Sequence, residues 1–236
     1  MNTGFGADLK SLAIIGAGGH GKVVADAALC AGWSNIVFFD DAWPDVSKVG
    51  VWEVIGRSES FYLNSAHFDA VVVAIGNNEK RLSICQHLLR NNIPLATVIH
   101  PRATISRFAN IGMGTVIFAG AVINPDAKVG LACIINTGAT IDHDCNLGDG
   151  VHISPGAHLA GNVRIADLSW IGIGSAIRQQ IEIGCAATVG AGSVVVKNVP
   201  DYSTVMGVPA EIHCKSHSAH EQMKSDFMES SIVKID

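Results

Sequence analysis

The segment Ile135-Asn136-Thr137-Gly138-Ala139-Thr140-Ile141-Asp142-His143-Asp144-Cys145-Asn146-Leu147-Gly148-Asp149-Gly150-Val151-His152-Ile153 has a period of six. Its aliphatic residues Ile135, Ile141, Leu147 and Ile153 belong to a longer row. From Ile105 to Val195, every sixth residue is Ile, Leu or Val. The residue four places after each is mostly small, as at Ala121, Ala127, Cys133, Ala139, Cys145 and Ala157. The residue one place after is often Gly, Asn or Asp, as at Gly112, Asn124, Gly130, Asp142, Gly148 and Gly172. Neither an α-helix nor an ordinary strand has this period. A hexad holds one short strand and one corner, and three hexads close a triangular coil. The aliphatic row then points inward and stacks on neighbouring coils, because a single coil cannot bury its own face. The row predicts a parallel β-helix of about five uninterrupted coils. Hexapeptide periodicity goes with the left-handed form, the exception to the usual right-handed crossover. The Gly, Asn and Asp that follow each aliphatic residue are expected at positive φ in the corners.

The rest of the 236 residues is consistent with a packed, uncharged core. Apolar residues make up 48% and charged residues only 16%, and there are 25 glycines. This composition excludes disorder and disfavours a helical bundle. The net charge is −5, with no long basic run. Binding to a nucleic-acid backbone is therefore not expected. No apolar run approaches the length of a membrane span, so no membrane insertion is expected. Met1 to Ser11 lacks the pattern of a secretory signal. None of the six cysteines stands in C-x-x-C spacing. They read as reduced thiols of a cytoplasmic protein.

Before residue 98 the pattern is different. Leu12–Ile15, Ile36–Phe39, Ala70–Ile75 and Leu95–Ile99 read as strands, and Lys22–Ala31 and Glu79–Arg90 as helices. Alternating strand and helix predicts a small parallel sheet with crossovers. The expected organisation is 1–98 as a Rossmann-like α/β domain, 99–213 as the β-helix, and 214–236 as a tail without hexads. Gly16-x-Gly18-x-x-Gly21 follows the first strand and opens a helix, the context of a dinucleotide fingerprint. Asp40 stands 19 residues after Gly21, close to where NAD enzymes place a ribose-binding acid. A dehydrogenase is nevertheless disfavoured, because so small a sheet lacks a second mononucleotide-binding half. Any phosphate can bind at such a helix N-terminus.

Several blocks then point in one direction: Gly16-Ala17-Gly18-Gly19-His20-Gly21-Lys22, Phe39-Asp40-Asp41, Ala74-Ile75-Gly76-Asn77-Asn78, Ile141-Asp142-His143-Asp144-Cys145, His152-Ile153-Ser154-Pro155-Gly156-Ala157, Ala160-Gly161-Asn162-Val163 and Gly207-Val208-Pro209-Ala210. In order and spacing they resemble the PglD/NeuD group of sugar acetyltransferases, within the left-handed β-helix acyltransferases. The resemblance covers residues 12 to about 213. It implies acetyl-CoA as co-substrate. It also implies homotrimers with sites between adjacent β-helices. The acceptor it implies is the 4-amino group of a nucleotide-linked 4-amino-4,6-dideoxy sugar, UDP-linked first, in bacterial surface-glycan synthesis. Sialic acid O-acetylation and GDP-perosamine-type N-acetylation are the alternatives.

The acceptor ammonium must lose a proton before it attacks a thioester, and an imidazole suits that task near neutrality. His143 is the candidate general base, flanked by Asp142 and Asp144. Asp144 stands where the resemblance has Glu, and either carboxylate can orient the imidazole. By the same resemblance His152, Ile173 and Ala191 line the acetyl-CoA channel. Gly161, eighteen residues after His143, is the candidate backbone donor to the thioester oxygen. Gly18, Gly19 and His20 are assigned to substrate phosphate and sugar, with His20 expected to carry positive charge. Asp40 and Asp41 are assigned to the nucleoside, and Gly76 to the same ligand. Cys145 falls in an inward slot and reads as core rather than nucleophile. Residues six apart fall on different faces, so His152 and His158 are not expected to share a metal. Trp33 and Trp170 read as packing or subunit contacts.

Overall fold

A computed structural model describes residues 10–215. The expectation for the 214–236 tail therefore lies outside the described residues beyond Lys215, as does most of the N-terminal segment. The chain opens with β1 (Ser11–Ile15), α1 (Gly19–Cys30) and β2 (Asn35–Phe39). A short hairpin follows, β3 (Lys48–Val49) and β4 (Trp52–Gly56), then α2 (Ser60–Asn64), β5 (Ala70–Val73) and α3 (Asn78–Arg90). These strands form one sheet in the order β3-β4-β2-β1-β5, parallel except for the antiparallel β3–β4 pair. The aliphatic runs Leu12–Ile15 and Val71–Val73 are buried throughout, as expected for strands covered on both faces.

Two elements differ from the sequence reading. The β3–β4 hairpin extends the sheet beyond the expected strands. Leu95 makes only an isolated bridge to Val71, whereas β6 (Val98–Ile99) pairs with β9 (Val116–Ile117) in a different sheet. The segment 95–99 is thus a connector whose end already belongs to the coil, not a fourth strand of the small sheet.

From β6 to β22 (Val194–Val195), two-residue strands recur every six residues. They stack into three parallel sheets, one per face of a triangular prism. One face holds β7 (Thr104–Ile105) through β22. The second holds β8 (Asn110–Ile111) through β20 (Glu182–Ile183). The third runs from β6 through β21 (Thr188–Val189) and ends with β23 (Ser203–Gly207) and β24 (Ala210–Lys215), which pair as a hairpin. The aliphatic row from Ile117 to Val195 forms one buried core with the small row between. Burial of one such side chain contributes about 1.5–3 kcal/mol. Polar members of the small row satisfy themselves in one repeated way. Thr115, Cys133, Cys145, Ser169 and Ser175 each donate to a carbonyl fifteen residues ahead, on Gly130, Gly148, Ala160, Gly184 and Gly190. Cys145 is therefore a core residue with its thiol occupied.

The corners correct one expectation. Positive φ falls three places after the aliphatic residue, at Gly114, Asp126, Ala132, Gly138, Asp144, Gly150, Asn162 and Leu168 among others. The glycines one place after are required for a different reason. A Cβ on Gly130 would lie 2.5 Å from the Gly148 carbonyl oxygen and 2.6 Å from Asp149 Oδ1. A Cβ on Gly172 would meet the Val189 oxygen at 2.5 Å. These positions face the next coil's backbone, where a side chain has no room.

This distinction is measurable. Gly138, at φ 67 with nothing within 4 Å of its Cβ position, carries only conformational strain on substitution. Gly138→Ala should cost about 1–2 kcal/mol. Gly130→Ala should cost about 3 kcal/mol or more, at the upper end of overpacking effects. Denaturant midpoints at one protein concentration compare the two, and equal losses would refute the backbone-clash account.

Candidate active site

The first half of the site is built at the carboxyl ends of β1, β2 and β5. Gly16 sits at φ 110 and packs on the Ala74 carbonyl, where a Cβ would stand 2.7 Å from the oxygen. A Cβ on Gly21 would run into the Gly16 carbonyl. Gly18 and Gly19, by contrast, have nothing within 4 Å of a Cβ position. Two glycines thus close the loop and two leave its front open. Gly18 caps α1 in an extended conformation with no side-chain hydrogen bond. The first-turn N–H groups and the positive end of the helix dipole are therefore available to an anion.

Asp40 holds this loop in place. Its Oδ2 accepts from Ala17 N at 2.7 Å and its Oδ1 from Ala42 N at 2.9 Å. Asp41 is more exposed. It accepts from Ser58 N at 3.3 Å and stands 3.8 Å from Lys80 Nζ. The Ser58 hydrogen bonds keep its carboxyl below the usual range. Of the two, Asp41 has the freer carboxylate.

His20, the second residue of α1, packs edge-on against Phe118 of the β-helix at 5.7 Å, and its buried Nε2 has no hydrogen-bond partner among the described residues. Burial first, and the Arg81 charge second, push its pKa down to about 4. It is neutral at pH 7, so the expected positive charge is absent. The uncapped helix N-terminus is then the feature of this loop suited to an anion.

The second half lies on the prism face that carries β15 (His152–Ile153), β18 (Trp170–Ile171) and β21. Here a groove of about 520 Å³ is lined by His152, Ser154, Trp170, Ile173, Thr188 and Ala191, with Asn136 at one end. Three of the four residues expected at acetyl-CoA therefore share one groove. His152 is buried and stacks on Trp170 at 4.7 Å, with Asn136 Nδ2 3.4 Å from its Nε2. Burial, then the Arg81 and His20 charges, lower its pKa to about 3. Trp170 Nε1–H donates to Ser154 Oγ at 2.8 Å. Trp170 thus forms a groove wall as well as a packing contact, a role its position in the repeat does not reveal. Trp33 packs against the core of the small sheet.

His143 and Gly161 stand elsewhere. The turn between β13 (Thr140–Ile141) and β14 (Asn146–Leu147) carries Asp142, His143 and Asp144 on the prism edge opposite the groove-bearing face. Asp144, at φ 61, brings its Oδ2 to 2.7 Å from His143 Nδ1. Asp142 Oδ1 accepts instead from His143 N at 2.9 Å and from Asn124 Nδ2 at 2.8 Å. Asp144 therefore orients the imidazole and Asp142 orders the turn. The Asp144 hydrogen bond, assisted by the Asp142 charge, raises the His143 pKa. With Nδ1 engaged by Asp144, Nε2 is the ring nitrogen left for other partners. The ring lies against Gly161, where a Cβ would approach Nε2 and Cε1 to 2.6 Å. Gly161 is thus the residue that makes room for the imidazole. Within one chain, the imidazole does not face the groove. Among the described residues no three His, Cys, Asp or Glu side chains are placed to hold a metal, and no helix is long and apolar enough to cross a membrane.

Known proteins are similar to this chain in sequence and fold. The PglD N-terminal domain family model matches residues 11–88. The acetyltransferase domain of PglB from Neisseria gonorrhoeae FA1090 is 44% identical with a TM-score of 0.82, over 86% of this chain and 99% of that one. That domain is also known in complex with acetyl coenzyme A. PerB from Caulobacter crescentus, in complex with CoA and GDP-perosamine, is 35% identical with a TM-score of 0.80, over 87% and 98%. WeeI from Acinetobacter baumannii AYE is 29% identical with a TM-score of 0.77, over 86% and 99%. The chain belongs to the sugar acetyltransferases of the hexapeptide-repeat superfamily, with a small Rossmann-like unit followed by a left-handed β-helix.

The three histidines should titrate apart. Histidine NMR should place the His143 pKa above 6.5, whereas His20 and His152 should stay neutral down to about pH 5, given their values near 4 and 3. Because Asp144 favours the imidazolium, Asp144→Asn should move the His143 value downward. No movement would show that the carboxylate does not reach the ring in solution.

Proposed function

We propose that this enzyme transfers the acetyl group of acetyl-CoA to the 4-amino group of a nucleotide-linked 4-amino-4,6-dideoxy sugar. Its family is that of acetyl-CoA-dependent sugar N-acetyltransferases. The observation that carries the mechanism is the 2.7 Å contact between His143 Nδ1 and Asp144 Oδ2. It fixes the tautomer with the lone pair on Nε2 and raises the basicity of that nitrogen. His143 Nε2 then accepts the proton of the attacking amine. The amine nitrogen bonds to the thioester carbon, and collapse of the tetrahedral intermediate expels CoA thiolate. The Gly161 N–H makes no hydrogen bond within the described chain. It is our candidate donor to the oxyanion, a kind of contact that typically contributes about 2.7–4 kcal/mol to such steps.

The open Gly18-Gly19 front and the α1 N-terminus suit the diphosphate, with His20 and Gly76 beside it and Asp41 toward the nucleoside. His152, Ile173 and Ala191 line the groove for acetyl-CoA. A UDP-linked acceptor is the first reading. A GDP-linked one is the second, favoured by the 35% identity to PerB, which is known with GDP-perosamine.

The prism geometry also supports a trimer. His143 stands on the edge opposite the groove, so one chain cannot bring base and thioester together. A neighbouring copy that turns its His143 edge toward the groove completes the site, and three copies close the arrangement. The enzyme is expected in the cytoplasm, where nucleotide sugars and acetyl-CoA meet.

Incubation with acetyl-CoA and UDP-, GDP- and dTDP-linked 4-amino-6-deoxy sugars, with free sialic acid alongside, should release thiol with one amino sugar nucleotide. Release with sialic acid alone would replace N-transfer by O-transfer. His143→Ala should lower turnover by about 10²-fold or more while CoA still binds. Hybrids of His143→Ala and Ala191→Trp subunits should regain activity that neither variant has alone, since one kind of interface then carries a wild-type edge and a wild-type groove. Inactive hybrids would confine the site to a single chain.

A further inference from the structure

Arg81, in the first turn of α3, is buried and has no carboxylate partner among the described residues. Its guanidinium donates only to neutral oxygens. Nε–H reaches Ala132 O at 2.8 Å, and Nη2–H reaches Gly150 O and Asn78 Oδ1 at 2.8 Å each. Nη1–H is shared between Ile75 O at 2.9 Å and Gly76 O at 3.1 Å. Asn78 Nδ2 adds Leu168 O at 2.8 Å and Ser169 O at 3.3 Å. Ala132, Gly150 and Leu168 are eighteen residues apart, and all lie at positive φ on one prism edge. The start of α3 thus reads three stacked coil corners in register.

Burying an unpaired charge is a costly way to join two packed units, and apolar residues of similar volume often serve as well. The other end of the guanidinium shows what the charge accomplishes. In a planar trans peptide the N–H points opposite to the carbonyl. With the carbonyls of Ile75 and Gly76 turned toward Arg81, the N–H groups of Gly76 and Asn77 face away from it. Neither makes a hydrogen bond within the described chain. A Cβ on Gly76 would meet nothing within 4 Å, so this side of the loop is open. It adjoins the phosphate loop, because Gly16 packs on the Ala74 carbonyl and the Ile75 side chain.

We propose that Arg81 is a positioning residue: it grips the 75–76 carbonyls from behind and presents the Gly76 and Asn77 N–H groups as donors to the acceptor, anchored to the β-helix corners. The identity of that acceptor as a nucleotide sugar rests on the function proposed above. The donor set matches the anionic and hydroxyl-rich face of such a molecule.

The test uses full-length Arg81→Met and Arg81→Lys proteins. Amide order parameters at Gly76 and Asn77 should fall from rigid values near 0.85 to below about 0.6 in Arg81→Met, with Arg81→Lys between. KM for the nucleotide sugar should rise tenfold or more, while KM for acetyl-CoA stays within twofold. Unchanged loop order with unchanged KM would overturn the proposal, as would equal rises in both KM values. Should Arg81→Met fail to fold, Arg81→Lys, which keeps the charge, carries both readouts. If the wild-type enzyme acetylates no nucleotide sugar, the acceptor assignment fails, and the ligand-free order parameters still decide whether Arg81 holds the loop.

Discussion

Everything in the β-helix follows from how little space lies inside a triangular coil. Each hexad can send one aliphatic and one small side chain inward, and successive coils must stack these rows directly. Packing at crystal-like density leaves no place for a larger residue or a gap. The same stacking brings backbone against backbone one place after each aliphatic residue, where only glycine or a residue directed outward fits. Outward positions escape both constraints. The fold is therefore a ruler with a repeat of eighteen residues, on which function is written along edges and faces.

The ruler explains which residues become neighbours. His143 and Gly161 are one coil apart, so the glycine leaves the space that the imidazole fills. His152 and Trp170 are one coil apart and stack. Ala132, Gly150 and Leu168 are one coil apart each, and their carbonyls form the ladder that Arg81 and Asn78 read. None of these pairs requires a special loop. Each follows from register in a parallel sheet whose core side fixes its phase.

Those regularities were legible in the sequence because a period of six over ninety residues admits one kind of backbone. The corner glycines were legible as necessary but not for their cause, since close approach and positive φ both select glycine. The β3–β4 hairpin escaped because β3 is only Lys48–Val49 and the five residues of β4 carry a single short alternation. Within the site, the pattern Asp-His-Asp pointed to a base, yet only geometry separates Asp144, which reaches Nδ1, from Asp142, which binds backbone. The charge state of His20 was illegible for a stronger reason. It is set by burial and by Arg81, which reads in sequence as an ordinary surface charge on an amphipathic helix.

Arg81 also accounts for a feature that the two halves of the chain share. Acceptor and thioester are assigned to different structural units, and the base to an edge facing away from both. Such a division usually invites a hinge, since closing on the substrates would bring the parts together. Here the connection is the reverse of a hinge. The 75–77 loop is bonded to the prism, His20 lies against Phe118, and the helix α1 shares a buried core with the first coils. Attack by an amine on a thioester needs few catalytic groups but demanding alignment, and fixed placement alone can supply much of the rate. On the function proposed above, a rigid prism holding both substrates at set heights, with the base coming from a neighbouring copy's edge, would meet that demand without a moving part. The cost is an uncompensated guanidinium in the interior, placed where its field adds to burial in lowering the pKa values of His20 and His152.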